Sequence, residues 1–154
     1  MGDVQNIVYR IRERNRRVRR PVMITIFAWL EIRSTYQDED LHPEIDEKKI
    51  FEEIDNAIRR LKYNEIQVIE KNYSKYIQFS VMENHKTGKT EEMIDLFEYI
   101  TKIATGSYGL LYFLDDEDNR FGDEFRVLVS RKGECEWKED TFFSPCSMML
   151  EDEN

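Results

Sequence analysis

At 154 residues, with 40% hydrophobic and 12% aromatic content, the chain has the size of one ordinary domain and enough apolar side chain to close a core, which excludes a disordered protein. The 23 Lys plus Arg against 32 Asp plus Glu give a net charge of -9, which argues against a DNA- or RNA-wrapping surface, because duplex binding needs clustered cations to displace counterions. The average conceals a split: residues 1–22 carry seven Arg against Asp3 and Glu13, net +5, and the remaining 132 residues hold 16 basic against 30 acidic, net -14.

Two cysteines, Cys135 and Cys146, are too few for a disulfide framework, and with only His42 and His85 beside them they do not make a Cys/His zinc site. Free thiols in a reducing cytoplasm are therefore expected, with no metal and no cofactor. The apolar run Val22 to Leu30 follows Arg-rich sequence, as a secretory signal would, but it leads into Glu31, Ile32 and Arg33 without a small-residue cleavage site. No stretch approaches the ~18 apolar residues of a membrane span.

Residues 1–22 form a basic extension. Val4, Ile7, Val8, Ile11 and Val18 could share one side of a helix, which would make a membrane-surface or nucleic-acid arm. We read the segment instead as an extension ahead of Pro21, or as the result of a start placed ahead of Met23, with one domain over residues 23–154. From Val22 to Arg33, Ile24, Ile26, Ala28, Leu30 and Ile32 alternate with Thr25, Phe27, Trp29 and Glu31, which predicts a strand. Both faces are apolar at its middle, so it belongs inside a sheet.

Pro43 suits a first helical position, and Ile50, Phe51, Ile54, Ile58 and Leu61 follow at helical spacing. Acids open this helix (Glu44, Asp46, Glu47) and bases close it (Arg59, Arg60, Lys62), in accord with the helix dipole. Ile66 and Val68, a polar turn over Asn72 to Lys75, then Ile77, Phe79 and Val81 predict a hairpin. A second helix is expected from about Glu91 to Ala104, stopped by Gly106 as a left-handed cap. Tyr108 to Leu114 reads as a buried central strand, Phe125 to Ser130 as a strand alternating through Phe125, Val127 and Val129, and Arg131 to Gly133 as a tight turn into a last strand around Cys135 and Trp137. The predicted fold is an α+β two-layer sandwich, β-α-β-β-α-β plus two C-terminal strands, with a mainly antiparallel sheet and both helices on one face.

Chemistry finds little support. Gly88, Lys89 and Thr90 match the end of a phosphate-binding loop, but the Gly required five residues before Gly88 is Glu83, so a turn into the second helix, with Thr87 or Thr90 as N-cap, is the better reading. Asp115, Asp116, Glu117 and Asp118 offer hard oxygen ligands, yet an EF-hand register from Asp116 puts Arg120 at a ligand position and Phe121 at the required Gly. Glu83 with His85 is the one acid/base pair in sight, and no catalytic residue is assigned. Trp29 and Trp137 read as core or sheet-surface residues first.

Several motifs together resemble one family. Gly106 to Tyr112 (GSYGLLY), Asp115 to Asp118, Asp140 to Cys146 (DTFFSPC) and the acidic end Glu151-Asp152 are similar to the immunity protein 7 family of bacterial polymorphic toxin systems. Phe27 to Leu30 (FAWL) and Thr35-Tyr36 ahead of Asp38, Glu39 and Asp40 fit the same pattern, so the resemblance runs from about Met23 to Asp152. It implies a non-enzymatic cytoplasmic antidote that binds the C-terminal domain of a cognate toxin and blocks its active site. The acidic body fits a basic partner. We expect the binding surface at the rigidly held loop carrying Asp115, Asp116, Glu117, Asp118, Asp123 and Glu124, with Asp38, Glu39 and Asp40 as the competing acidic loop and Trp29, Tyr36 or Phe142 as aromatic anchor. An acidic calcium- or ligand-responsive module at the Asp115 cluster is the alternative, and the sequence leaves the oligomeric state open.

Overall fold

The computed structural model describes residues 23–84 and 87–145. The Arg-rich segment 1–22, His85 with its pairing to Glu83, Cys146 and the end of the chain lie outside the described residues. Eight elements follow in chain order: β1 (Ile24–Ile32), α1 (Glu47–Leu61), β2 (Gln67–Lys71), β3 (Ser74–Glu83), α2 (Gly88–Ile103), β4 (Tyr108–Asp115), β5 (Arg126–Arg131) and β6 (Glu134–Glu139). The strands form one six-stranded sheet in the order β2-β3-β1-β4-β5-β6, every neighbouring pair antiparallel. This is the α+β sandwich that the periodicities predict.

β1 lies inside the sheet, paired with β3 from Ile24↔Glu83 to Ile32↔Lys75 and with β4 from Ile24↔Asp115 to Glu31↔Tyr108. Its even-numbered side chains, Ile24, Ile26, Ala28, Leu30 and Ile32, are all buried. Ile26, Ala28, Leu30 and Ile32 pack with Ile77, Phe79, Val81, Leu111 and Leu128 of the other strands against Ile54 of α1 and Met93, Leu96, Phe97 and Ile100 of α2. Each large side chain taken fully out of water contributes about 1.5–3 kcal/mol, so this one cluster holds both helices on the same sheet face.

α1 begins at Glu47 rather than at Pro43, which sits in the preceding turn. Asp46 decides the start: its carboxylate accepts a hydrogen bond from Lys49 N at 3.1 Å and satisfies a first-turn donor that would otherwise have no partner. Lys62, in the left-handed conformation at φ 55°, ends the helix. The β2–β3 turn is tighter than expected, only Asn72 and Tyr73 lying between the strands. Both have positive φ (50° and 65°), as the hairpin turn that matches strand twist requires. Lys132 (φ 49°) and Gly133 (φ 78°) repeat the device between β5 and β6.

α2 starts at Gly88, earlier than expected, with Thr87 at the N-cap position. The Thr87 hydroxyl donates to Glu83 Oε2 at 2.6 Å and caps no helix N–H. The Thr90 hydroxyl is buried without a partner. The expected left-handed cap at Gly106 is corrected as well, since the residue does not have positive φ. Glycine is needed there for another reason: a Cβ would lie 2.3 Å from Thr35 O and 2.5 Å from Thr35 C. Gly106 N donates to Arg33 O at 3.1 Å, pulling the two backbones together.

On β5 the alternation of Phe125, Val127 and Val129 belongs to the face away from the helices. Leu128 and Ser130 point toward them, because Leu128 pairs with Leu111 and the Ser130 hydroxyl meets that of Thr101 at 2.7 Å. Gly106→Ala should destabilise the fold by about 1–3 kcal/mol, because its methyl group meets fixed backbone. Gly88→Ala, with nothing within 4 Å of the added atom, should stay within about 0.5 kcal/mol of wild type. Urea denaturation of the two variants checks the contrast.

Candidate functional site

With both helices on one side, the odd-numbered side chains of β1 face a sheet surface that no helix covers. Phe27 is 47% and Trp29 43% exposed there, and Tyr108 and Met82 join them from β4 and β3. The rings are held in place by their neighbours. Trp29 packs edge-on against Tyr108 at 6.1 Å between centroids and 84° between planes. The Tyr108 hydroxyl donates to Glu31 Oε2, and Arg33 binds Glu31 Oε1 at 3.2 Å while its guanidinium stands 5.6 Å from the centre of the Tyr108 ring. The Tyr108 bond, with help from Arg33 and against partial desolvation, lowers the Glu31 carboxyl below its ordinary range, and the same bond raises the Tyr108 phenol.

A cleft of about 520 Å³ opens at this end of the face, walled by Trp29, Tyr36, Tyr108, Leu110 and Val129, with Arg131 and Lys132 on one lip. Gly109 lets the strands close beneath it, since a Cβ there would meet Trp29 O at 2.1 Å. Tyr36 comes from the loop after β1, which bends where Thr35 Oγ1 accepts Gln37 N at 2.9 Å and Asp38 Oδ1 accepts Asp40 N at 3.0 Å. Asp38, Glu39 and Asp40 are exposed on that loop.

The opposite end of β1 carries the second acidic loop. There Asp115 Oδ1 accepts Glu117 N at 3.0 Å, Asp116 Oδ1 accepts Met23 N at 2.9 Å, and Asp118 Oδ1 accepts Arg120 N at 2.8 Å and Phe121 N at 3.3 Å. These carboxylates shape the turn from within. Desolvation beside the start of β1 pushes the Asp116 carboxyl up, with Asp115 and Glu117 adding to the effect, while hydrogen bonds from Arg120 and Phe121 N–H pull that of Asp118 down. Phe121 lies under Arg126, 4.9 Å from the ring centre, and Arg126 also covers Trp137 at 4.9 Å, so the loop leans toward the helix-bearing side. Trp137 packs there edge-on against Phe113.

The DTFFSP segment is a fastener at this same end. Asp140, buried, accepts Phe142 N at 3.0 Å, Phe143 N at 2.8 Å and the Ser144 hydroxyl at 3.0 Å, and Ser144 Oγ in turn accepts Phe125 N at 2.8 Å. Phe143 thereby reaches Tyr112 on the helix-free face, 6.5 Å between centroids, and Phe142 is left 82% exposed.

The expected site residues therefore fall into two groups. Trp29, Tyr36, Asp38, Glu39 and Asp40 gather at the cleft, whereas Asp115, Asp116, Glu117, Asp118, Asp123, Glu124 and Phe142 lie beyond the other end of β1, a nine-residue strand about 26 Å long at 3.3 Å per residue. Phe27, Tyr108 and Met82 were not singled out in the sequence, although the alternation of β1 already put Phe27 beside Trp29. Glu83 accepts from Thr87 and lies 3.7 Å from Lys89 Nζ. Burial pushes the Cys135 thiol up, away from the thiolate that nucleophilic chemistry needs. No group of three or more His, Cys, Asp or Glu among the described residues is arranged to hold a metal ion, and no helix among them is long and apolar enough to cross a membrane.

What the fold defines is an α+β module with an aromatic sheet face that no helix covers and an acidic loop at each end of β1. The chain belongs to the immunity protein 7 family, whose model matches residues 23–152. It is therefore an immunity protein, and its partner is a protein toxin. No curated protein and no solved structure matches the chain.

Although Asp140 is desolvated, the hydrogen bonds from Phe142 N, Phe143 N and Ser144 together hold its carboxyl below the ordinary range. A depressed carboxyl stabilises the fold above its unfolded value and loses that contribution as pH falls through the folded one. Asp140→Asn should cost about 1–2 kcal/mol at pH 7, by leaving donors without their charged acceptor. The difference from wild type should close as pH is lowered below the ordinary Asp value of about 3.9 and on through the lowered folded one. Urea midpoints across that range measure it.

Proposed function

We propose that the protein neutralises the C-terminal effector domain of a bacterial polymorphic toxin by stoichiometric occlusion, acting in the cytoplasm of the cell that makes the toxin. Membership of the immunity protein 7 family carries this reading. The body's net charge of -14 over residues 23–154 supports a basic partner, and effectors that cut nucleic acid are basic because their substrate is a polyanion. Protection by binding requires complementarity and no reacting group.

The acidic loops supply steering. Asp115, Asp116 and Asp118 fix the course of the β4–β5 loop through their backbone hydrogen bonds, and exposed Glu117 adds charge without an internal bond of that kind. Fields of this sort act mainly on the encounter rate.

Titration against the isolated C-terminal effector domain of the cognate toxin should abolish its activity near one to one, with the toxin's mass unchanged afterwards. Protection at well below one equivalent, with a chemically altered toxin, would show that an enzyme is at work. Association should slow as salt is raised from 0.1 to 1 M, because the Debye length contracts from about 10 Å to about 3 Å. Glu117→Gln should lower the association rate and leave folding intact. Stopped-flow measurement at the two salt concentrations tests both statements, and a salt-independent rate would remove steering from the mechanism.

A further inference from the structure

We infer that the helix-free sheet face is the surface that seats the toxin, with Trp29 and Tyr108 as central anchors and the loop from Tyr36 to Asp40 as its acidic edge. The inference rests on the toxin-binding reading above and names the surface involved. A sheet face turned to water normally carries polar side chains at alternate positions. Here the register sets Phe27 beside Tyr112 and Trp29 beside Leu110, so the two central strands present apolar groups where hydration would favour polar ones. A contiguous exposed patch of this kind marks an interaction surface.

Order and shape support the assignment. The Trp29–Tyr108 edge contact and the Tyr108–Glu31–Arg33 chain fix the rings before any partner arrives, so little side-chain freedom is left to lose on binding. The 520 Å³ cleft next to them has room for a protruding apolar side chain, the usual centre of a tight interface.

Charge selects the occupant. Arg131 and Lys132 give one lip a positive sign, but Asp38, Glu39 and Asp40 stand on the loop that brings Tyr36 to the cleft, and the body behind them is at -14. A second copy would set two such bodies face to face against their mutual repulsion. A basic toxin domain that presents an apolar knob meets an apolar centre and an acidic edge.

The test uses the full chain and, as probe, the isolated C-terminal effector domain of the cognate toxin. Phe27→Thr combined with Trp29→Thr removes the aromatic centre and keeps strand-compatible side chains. Tyr36→Ala sits outside the sheet and keeps the test decisive if the double variant folds poorly. Glu52→Ala with Arg59→Ala alters exposed positions on α1 as a control. The expected result is binding weakened about thirtyfold or more by the double variant and clearly weakened by Tyr36→Ala, at unchanged thermal transitions, with the α1 variant binding as wild type. Unchanged affinity of the double variant or, should it fail to fold, of Tyr36→Ala would overturn the face and leave stoichiometric neutralisation standing. A wild-type chain that does not bind the probe would overturn both. A wild-type chain that sediments as a dimer, and as a monomer once Phe27 and Trp29 are replaced, would assign the face to a second copy and overturn the proposal.

Discussion

The arrangement depends on β1 being paired along both edges. A strand so placed has its backbone donors and acceptors satisfied by β3 and β4, and the only freedom left to it is which side chains go to which face. A slip of one residue would bury Phe27 and Trp29 and expose Ile26, Ala28 and Leu30. The helices forbid that slip, because Ile54, Phe97 and Ile100 need the aliphatic row beneath them. Burial on one side thus dictates exposure on the other, and the aromatic face follows from the demands of the core.

The two ends of the sheet are built by opposite means. At the Tyr36 end both hairpins close in two-residue turns, Asn72-Tyr73 and Lys132-Gly133, and the long β1–α1 connection is drawn in by the close approach of Gly106 to Thr35. At the other end the β4–β5 loop is long, and carboxylates do the work, Asp115, Asp116, Asp118 and Asp140 each accepting backbone N–H groups. An acidic cluster can thus be dense without being a ligand shell. The charge that remains visible from outside is a long-range field; the local hydrogen bonds are structural.

Element types and their order were legible in the sequence because each core stripe repeats with a clear period: Ile24 to Ile32 every second residue, Ile50 to Leu61 every third or fourth. Boundaries failed where a single side chain decides them. Pro43 looked like a helix start, but the carboxylate able to cap a first-turn N–H belongs to Asp46. Gly106 looked like a helix stop, whereas its role depends on Thr35, a contact distant in sequence. The candidate site was legible in composition and not in geometry. Charge density and isolated aromatics drew attention to both acidic loops, but their separation by the length of β1 depends on strand pairing, and Tyr108 gains meaning only once register sets it beside Glu31.

Strand order also sets a schedule for the nascent chain. β1 is the first element among the described residues and must wait for the last strand that borders it: Glu31 and Tyr108 are 77 positions apart. At about 5–20 residues per second, roughly 4 to 15 s pass between the emergence of the two, during which one edge of β1 lacks its final partner. The cleft and the Trp29–Tyr108 contact do not exist until β4 arrives. A surface built this way is late by construction: Trp29 is made early, but the wall that it shares with Val129, Arg131 and Lys132 closes only when β5 has followed β4.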